Sequence, residues 1–187
     1  PDSGQRGIEI EKIIDFENLT NFLKNASRPQ FLIQEFIDYP IELGILIAKN
    51  PTKQDRKITS VTLKKFLNVK GNGSSTLKEL ICDNLRASKQ KKELEVKFAN
   101  RWNEVIPKEE DILLEPIGNH SRGTEFIDGN YLINNQLLDV IDNIVSNIPH
   151  FYYGRIDLKV KSLESLMNGE NIKVLEINGV NSEPAHI

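Results

Sequence analysis

Two short polar patterns near the end of the sequence have the clearest potential for chemistry. One residue separates Arg155 from Asp157, and one residue separates Glu176 from Asn178. Residues at positions i and i+2 of a β-strand project from the same face. If the two segments form neighbouring antiparallel strands, a guanidinium, two carboxylates and an amide oxygen meet on one face of a sheet.

Apolar residues surround both patterns. Three of them alternate with the first pair and are expected on the opposite face of that strand: Ile156, Leu158 and Val160. The same alternation predicts that Ile172 and Val174 share the face of Glu176. Two carboxylates close together near apolar surface repel each other and lose hydration, so the arrangement calls for a counter-cation.

Magnesium is the cation that this set of side chains suits. Mg²⁺ prefers hard oxygen ligands and is usually held by one or two carboxylates together with substrate phosphates. The planar guanidinium of Arg155 would form paired hydrogen bonds with phosphate. The alternative is a solvent-facing hairpin, in which Arg155 pairs with Asp157 or Glu176 on the surface.

Composition excludes several other classes of function. Hydrophobic residues make up 39% of the 187 residues, charged residues 27%, and the mean hydropathy is -0.39, as expected of a globular fold with a core. The net charge of -3 gives no electrostatic reason to expect a nucleic-acid partner. The single cysteine, Cys82, cannot form an internal disulfide, which favours a reducing, cytoplasmic location. Neither a membrane span nor a signal peptide is predicted.

Hydrophobic periodicity and turn residues predict the elements that must position these side chains. Helices are expected at 16–27, with Asp15 as the cap, and at 89–100, 135–147 and 163–169. Another helix is expected to begin at residue 77, after a Thr76–Glu79 capping box, and to extend through Leu85. Strands are expected at 8–14, 57–63, 113–117, 124–127, 152–160 and 171–178, with a hairpin-like pair at 31–37 and 41–48 and a loop at 68–75. Short connections between strands favour antiparallel or mixed sheets with helices packed on one side, an α+β fold.

The two polar patterns also resemble a known signature. Gly154-Arg-Ile-Asp157 followed by Val174-Leu-Glu-Ile-Asn178 resembles the closing signature of the ATP-grasp superfamily. The resemblance implies that Asp157, Glu176 and Asn178 are magnesium ligands and that Arg155 contacts the phosphates of ATP. It also implies two lobes of mainly antiparallel sheet with packed helices and the nucleotide between them. The expected division is a partial central lobe at 1–49 and a C-terminal lobe at 50–187.

Earlier segments agree with this superfamily in their order. Pro1–Gly7 resembles the flexible glycine-rich loop that closes over the phosphates, and this resemblance assigns Gly4, Arg6 and Gly7 to nucleotide binding. Similarly, the run Gln34, Glu35, Phe36, Ile37 resembles the inter-lobe strand that presents its backbone to adenine. Glu42 matches the acidic residue that binds the ribose hydroxyls.

Two further segments, Gly71–Ile81 and Gly118–Gly123, are similar to segments of carboxylate–amine ligases such as cyanophycin synthetase and D-alanine:D-alanine ligase. In such enzymes these loops shape the substrate side of the site. The resemblance therefore assigns Asn119, His120 and Arg122 to the acyl phosphate or the acceptor substrate. The alternative for His120 is a loop histidine that binds no ligand.

The function implied by the resemblance is an ADP-forming ligase that uses ATP and Mg²⁺ to join a small-molecule carboxylate to an amine. A kinase-like ATP-grasp phosphotransferase and a non-catalytic nucleotide-binding module are the alternatives. The superfamily has phosphate-binding lysines before the glycine-rich loop, and this sequence starts after those positions and without Met. We therefore expect a fragment that lacks the N-terminal lobe and binds nucleotide weakly.

Overall fold

The described part of the chain divides into two compact units. The computed structural model describes residues 10–27, 30–53 and 55–184. One unit contains the described residues up to Phe36 together with Phe66–Thr124, and the other contains Ile37–Lys65 and the described residues from Glu125 onward. Asn50, at the predicted lobe boundary, follows directly on a strand of the second unit and precedes the turn to that strand's partner. The division into 1–49 and 50–187 stays a prediction.

A five-stranded antiparallel sheet forms the frame of the second unit. Its strands are β1 (Ile41–Lys49), β2 (Arg56–Lys65), β5 (Glu125–Asp128), β6 (Tyr153–Val160) and β7 (Ile172–Asn178). They lie in the order β5-β2-β1-β6-β7, and each pairing is antiparallel. The last two strands are therefore antiparallel neighbours, which is the condition under which the two polar patterns share a face.

Helices cover one face of this sheet. They are α4 (Asn135–Val145) and α5 (Leu163–Met167), and a 3₁₀ turn at Asn130–Leu132 precedes α4. Alternate strand residues point to the helices and form one apolar core with them: Leu43, Ile45, Ile47, Ile58, Val61, Ile156, Leu158, Val160, Leu137, Ile141, Val145 and Leu166. Because side chains alternate along each strand, the opposite face receives the polar residues. The expectation of helices on one side is confirmed for this unit.

The last strand contains an irregularity that corrects one prediction. The register shifts between Asp157 and Leu158, so that Glu176 is opposite Asp157 while Val174 is opposite Leu158. Ile172 likewise pairs with Val160, which is buried in the core. Ile172 and Val174 therefore lie on the core side, away from Glu176, because one extra residue in a strand reverses the alternation beyond it.

The first unit has a smaller sheet and its own core. Strands β3 (Asn68–Lys70) and β4 (Asp111–Leu113) pair antiparallel, and the unit has helices α1 (Phe16–Asn25), α2 (Leu77–Asp83) and α3 (Lys91–Lys97) with 3₁₀ turns at Ala87–Gln90 and His120–Arg122. Its core consists of Leu67, Val69, Leu77, Ile81, Ala87, Leu94, Trp102, Ile106, Ile112 and Leu114. Asp15 caps α1 as predicted, by accepting a 2.7 Å hydrogen bond from the Asn18 backbone N–H. With these two sheets, the α+β class with antiparallel pairing is confirmed.

Several predicted elements differ from the structure. Residues 10–14 and 31–37 form no strand, so β1 pairs with β2 and β6 rather than with 31–37. In the second of these segments Leu32 and Ile33 are 72% and 79% exposed, and their apolar character misled the strand prediction. The predicted 68–75 loop starts with β3, and Leu85 follows the end of α2. The predicted 113–117 strand is wrong except at Leu113, because β4 ends there and 114–117 form no strand. No described helix is long and apolar enough to cross a membrane.

The capping box of α2 gives a prediction about pH. The Glu79 carboxylate accepts a 2.7 Å hydrogen bond from the Thr76 backbone N–H and also one from the Thr76 hydroxyl, and these bonds hold the pKa of Glu79 below its ordinary value of 4.5. A carboxyl with a depressed pKa in the folded state stabilises the fold above its unfolded pKa, and that contribution is lost as the pH falls through the folded pKa. We expect the urea midpoint of the first unit to decrease below pH 4.5 more steeply in the native chain than in Glu79→Gln.

Fluorescence of Trp102, the single tryptophan, measures this midpoint because the residue is buried in the core of the same unit. An identical acid response in the two proteins would contradict a role for the Glu79 carboxylate.

Candidate functional site

The polar face of the five-stranded sheet gathers a set of charged and amide side chains from four strands. Lys64 of β2 lies opposite Glu42 of β1, and Asp157 of β6 lies opposite Gly44 of β1 on one side and Glu176 of β7 on the other. Arg155 is opposite Asn178. We call the following residues the polar cluster: Glu42, Lys64, Arg155, Asp157, Glu176 and Asn178.

Asp157 is the buried carboxylate that the rest of the cluster surrounds. It is 3% exposed. Arg155 donates to it from Nε at 3.2 Å and from a terminal guanidinium nitrogen at 3.0 Å, and Asn178 donates from its amide at 3.0 Å. Lys64 Nζ lies 3.4 Å from its Oδ1. Arg155 does pair with Asp157, but burial of the carboxylate rules out the alternative of a solvent-facing surface pair.

Lys64 is a member of the cluster that the sequence did not identify. Its ammonium donates to Glu42 Oε1 at 2.7 Å, and both side chains are at most 10% exposed. Lys64 lies one residue beyond the predicted end of its strand, Leu63. Alternation with Val61 and Leu63 would have placed it on the polar face, but its neighbours on that face follow only from the register with β1.

Glu176 and Asn178 form the solvent-accessible edge of the cluster. The Asn178 amide nitrogen donates to Glu176 Oε1 at 2.6 Å as well as to Asp157. Among the described residues, Glu176 forms no ion pair with a lysine or arginine, and no group of three or more His, Cys, Asp and Glu side chains is placed to hold a metal ion. The candidate ligand set is instead two carboxylates and one amide.

The three side chains that the resemblance assigns to magnesium lie within hydrogen-bonding distance of one another. The Asn178 amide nitrogen is 3.0 Å from an oxygen of Asp157 and 2.6 Å from Glu176 Oε1. Carboxylate and amide oxygens are hard ligands of the kind that Mg²⁺ prefers. Half a turn of the amide exchanges its nitrogen for its oxygen, so the same side chain can offer an oxygen to a cation.

Gly44 makes room for the cluster. A Cβ at this position would lie 2.9 Å from Asp157 Oδ1 and 3.2 Å from Arg155 Cδ. The two side chains therefore lie directly over the bare backbone of β1, where a larger residue would displace them.

The residues assigned to nucleotide binding occupy different places. Gly4, Arg6 and Gly7 lie outside the described residues. Gln34, Glu35 and Phe36 are exposed residues of the first unit, where the Lys12 ammonium lies 3.8 Å from the centre of the Phe36 ring. Ile37 belongs to the second unit, and its carbonyl accepts a 3.1 Å hydrogen bond from Lys159 Nζ.

Asn119, His120 and Arg122 lie together in the first unit, apart in sequence from the polar cluster of the second. Asn119 caps the 3₁₀ turn His120–Arg122 by accepting from the Ser121 backbone N–H at 2.9 Å. Arg122 lies 3.6 Å from a carboxylate oxygen of Glu115. Their assignment to substrate stays a prediction.

Comparisons with known proteins find similarity among solved structures. No protein-family model matches the chain, and no curated protein matches it. Among solved structures the chain is similar to a bifunctional glutathione synthetase from Pasteurella multocida, with 19% sequence identity and a TM-score of 0.48. The similarity covers 78% of this chain and 21% of that protein, so this chain spans about a fifth of its length.

The close approach at Gly44 gives a prediction about stability. We expect Gly44→Ala to destabilise the second unit by about 1–3 kcal/mol, because the added methyl must displace the buried Asp157 or Arg155 side chain. Gly179→Ala is the matched control, since a Cβ at Gly179 would have nothing within 4 Å. Calorimetric unfolding of the three proteins measures the difference, and equal stability of the two variants would contradict the packing argument.

Proposed function

We propose that this chain binds Mg²⁺ and ATP on the polar face of its five-stranded sheet, and that ATP there activates a carboxylate for amide formation with an amine. The observation that supports the proposal is the convergence of Asp157, Glu176 and Asn178 beside the cations Arg155 and Lys64. Oxygen ligands next to fixed cations are what a metal–polyphosphate complex requires.

Asp157, Glu176 and Asn178 are the proposed magnesium ligands. Of the three carboxylates in the cluster, Glu42 is paired with Lys64, and Asp157 is paired with Lys64 and Arg155. Glu176, the carboxylate without an ion pair among the described residues, lies beside the two other ligands at the exposed edge. A bound magnesium ion would compensate the charge of Glu176 and neutralise developing charge on the phosphates.

Arg155 and Lys64 are the proposed phosphate-binding residues. Asp157 and Glu42 already hold them at 3.0 Å and 2.7 Å. Cations fixed before the substrate arrives need little reorganisation during the reaction, and this is the main source of electrostatic catalysis in phosphoryl transfer. The ribose role of Glu42, the adenine role of Gln34–Ile37, the glycine-rich loop with Gly4, Arg6 and Gly7, and the substrate roles of Asn119, His120 and Arg122 remain part of this proposal.

The proposed reaction has two steps. A carboxylate oxygen of the substrate forms a bond with the γ-phosphorus of ATP while the bond from that phosphorus to the bridging oxygen breaks, and ADP leaves. The amine nitrogen then attacks the acyl carbon, phosphate leaves with the former carboxylate oxygen, and the amine proton passes to water. No nucleophilic side chain is required, so positioning and charge neutralisation by the cluster are the protein's contribution.

Nucleotide binding is the first test. We expect this chain to bind ATP and ADP in a magnesium-dependent manner in isothermal titration calorimetry, and the Asp157→Asn, Glu176→Gln double variant to lose that dependence. A control double variant, Asp139→Asn with Glu164→Gln, removes two exposed carboxylates from the helices on the opposite face. Binding that is unchanged in the cluster variant, or absent in the native chain, would contradict the proposal.

Phosphorus NMR distinguishes the possible outcomes of turnover. With Mg²⁺, ATP and a pool of amino acids as acids and amines, the ligase reaction releases ADP and inorganic phosphate. When the carboxylates carry ¹⁸O, one labelled oxygen is expected in the phosphate. Phosphate that stays on a product would indicate a kinase-like reaction, and unlabelled phosphate would indicate hydrolysis of ATP by water.

A further inference from the structure

A buried lysine that the proposed chemistry does not use lies on the same face of the sheet. Lys159 of β6 is 7% exposed, and its cross-strand neighbours are Glu42 on β1 and Lys173 on β7. It is two residues from Asp157 along the strand, which places it about 7 Å further on the same face. Burial of an ammonium group is costly unless its hydrogen bonds are made, so this position calls for a specific reason.

The Lys159 ammonium holds a segment of main chain. Its Nζ donates a 3.1 Å hydrogen bond to the carbonyl of Ile37. Two residues further along, the Lys161 ammonium lies 5.5 Å from the centre of the Tyr39 ring. The segment 37–40, which leads into β1 next to Glu42, is therefore tied to the end of β6 by two lysines.

The other end of β6 is occupied by a different segment. The Tyr153 hydroxyl donates to the Ser182 carbonyl at 2.9 Å, and Arg155 donates to the Glu183 carbonyl at 3.2 Å. If the phosphates bind at Arg155 and Asp157, the nucleoside of the nucleotide extends away from Ser182 and Glu183. That direction leads along β6 to Lys159, Glu42 and the segment 37–40.

We infer that Lys159 is a positioning residue for the nucleoside part of the bound nucleotide. By holding the Ile37 carbonyl, it fixes the main chain against which the base and ribose lie, at the end of β6 opposite Ser182 and Glu183. The inference rests on the proposed function. It assigns to Lys159 an effect on nucleoside binding and none on phosphate binding.

A comparison of two ligands tests this assignment. Calorimetry is carried out with Mg·ATP and with Mg·tripolyphosphate, which has the phosphates but lacks the nucleoside. We expect Lys159→Met to weaken ATP binding about tenfold, as for loss of a charged hydrogen bond, and to leave tripolyphosphate binding unchanged. Lys159→Arg should restore ATP binding. Lys173→Met removes a positive charge from the same face at an exposed position and should change neither affinity.

Each other outcome overturns the inference. Equal weakening of both ligands would mean that Lys159 acts on the phosphates or on the fold, and an unchanged ATP affinity would mean that the contact with Ile37 has no role in binding. Unfolding of Lys159→Met under the assay conditions would make the lysine a residue that stabilises the fold and would overturn its assignment to nucleoside binding. A native chain that binds neither ligand would refute the proposed function itself, together with this inference.

Discussion

The polar face of the sheet depends on the compensation of one buried carboxylate. Asp157 is almost completely enclosed, and an isolated ionised carboxylate in such a place would be strongly unfavourable. Three neighbours make it tolerable: Arg155 on its own strand, Lys64 two strands away and Asn178 on the edge strand. Removal of one partner from such a set costs more than the whole set contributes to stability, because the remaining charge stays buried. The positions of three strands are thus coupled through one side chain.

This coupling needs support from the backbone as well as from charge. β1 contributes a glycine under Asp157 and a carboxylate, Glu42, two residues away that anchors Lys64. β7 contributes an irregularity that puts Glu176 and Asn178 on the polar face while Val174 and Ile172 remain on the core side. Without that extra residue the alternation would place either the ligand pair or the apolar residues on the wrong side. Bulges that redirect side chains are common at functional sites.

The apolar core on the opposite face of the sheet offsets the free-energy cost of burying this polar layer. Leu43, Ile45, Ile156 and Leu158 are fully buried against α4 and α5. Within the described residues, every buried side-chain nitrogen and oxygen has a hydrogen-bond partner. A completely satisfied polar network stiffens its surroundings, whereas a partly satisfied one destabilises them. Among the residues that the structure describes, Glu176 at the exposed edge of this network forms no ion pair, and this edge is where the proposed magnesium ion would bind.

The sequence by itself determined the periodic features. The α+β class, the capping box at Thr76, the cap of α1, the helix at 135–147 and the i, i+2 polar pairs all follow from local spacing, because each depends on residues within one turn or one strand. Tertiary structure decided the rest. The apolar run 31–37 resembles a strand but forms none, since β1 is already paired on both edges by β2 and β6. The register shift in β7, the place of Lys64 beside Glu42 and Asp157, and the contact of Lys159 with Ile37 join residues from different strands or segments. Such contacts are fixed by which strands pair and in which register, and no local pattern in the sequence specifies either.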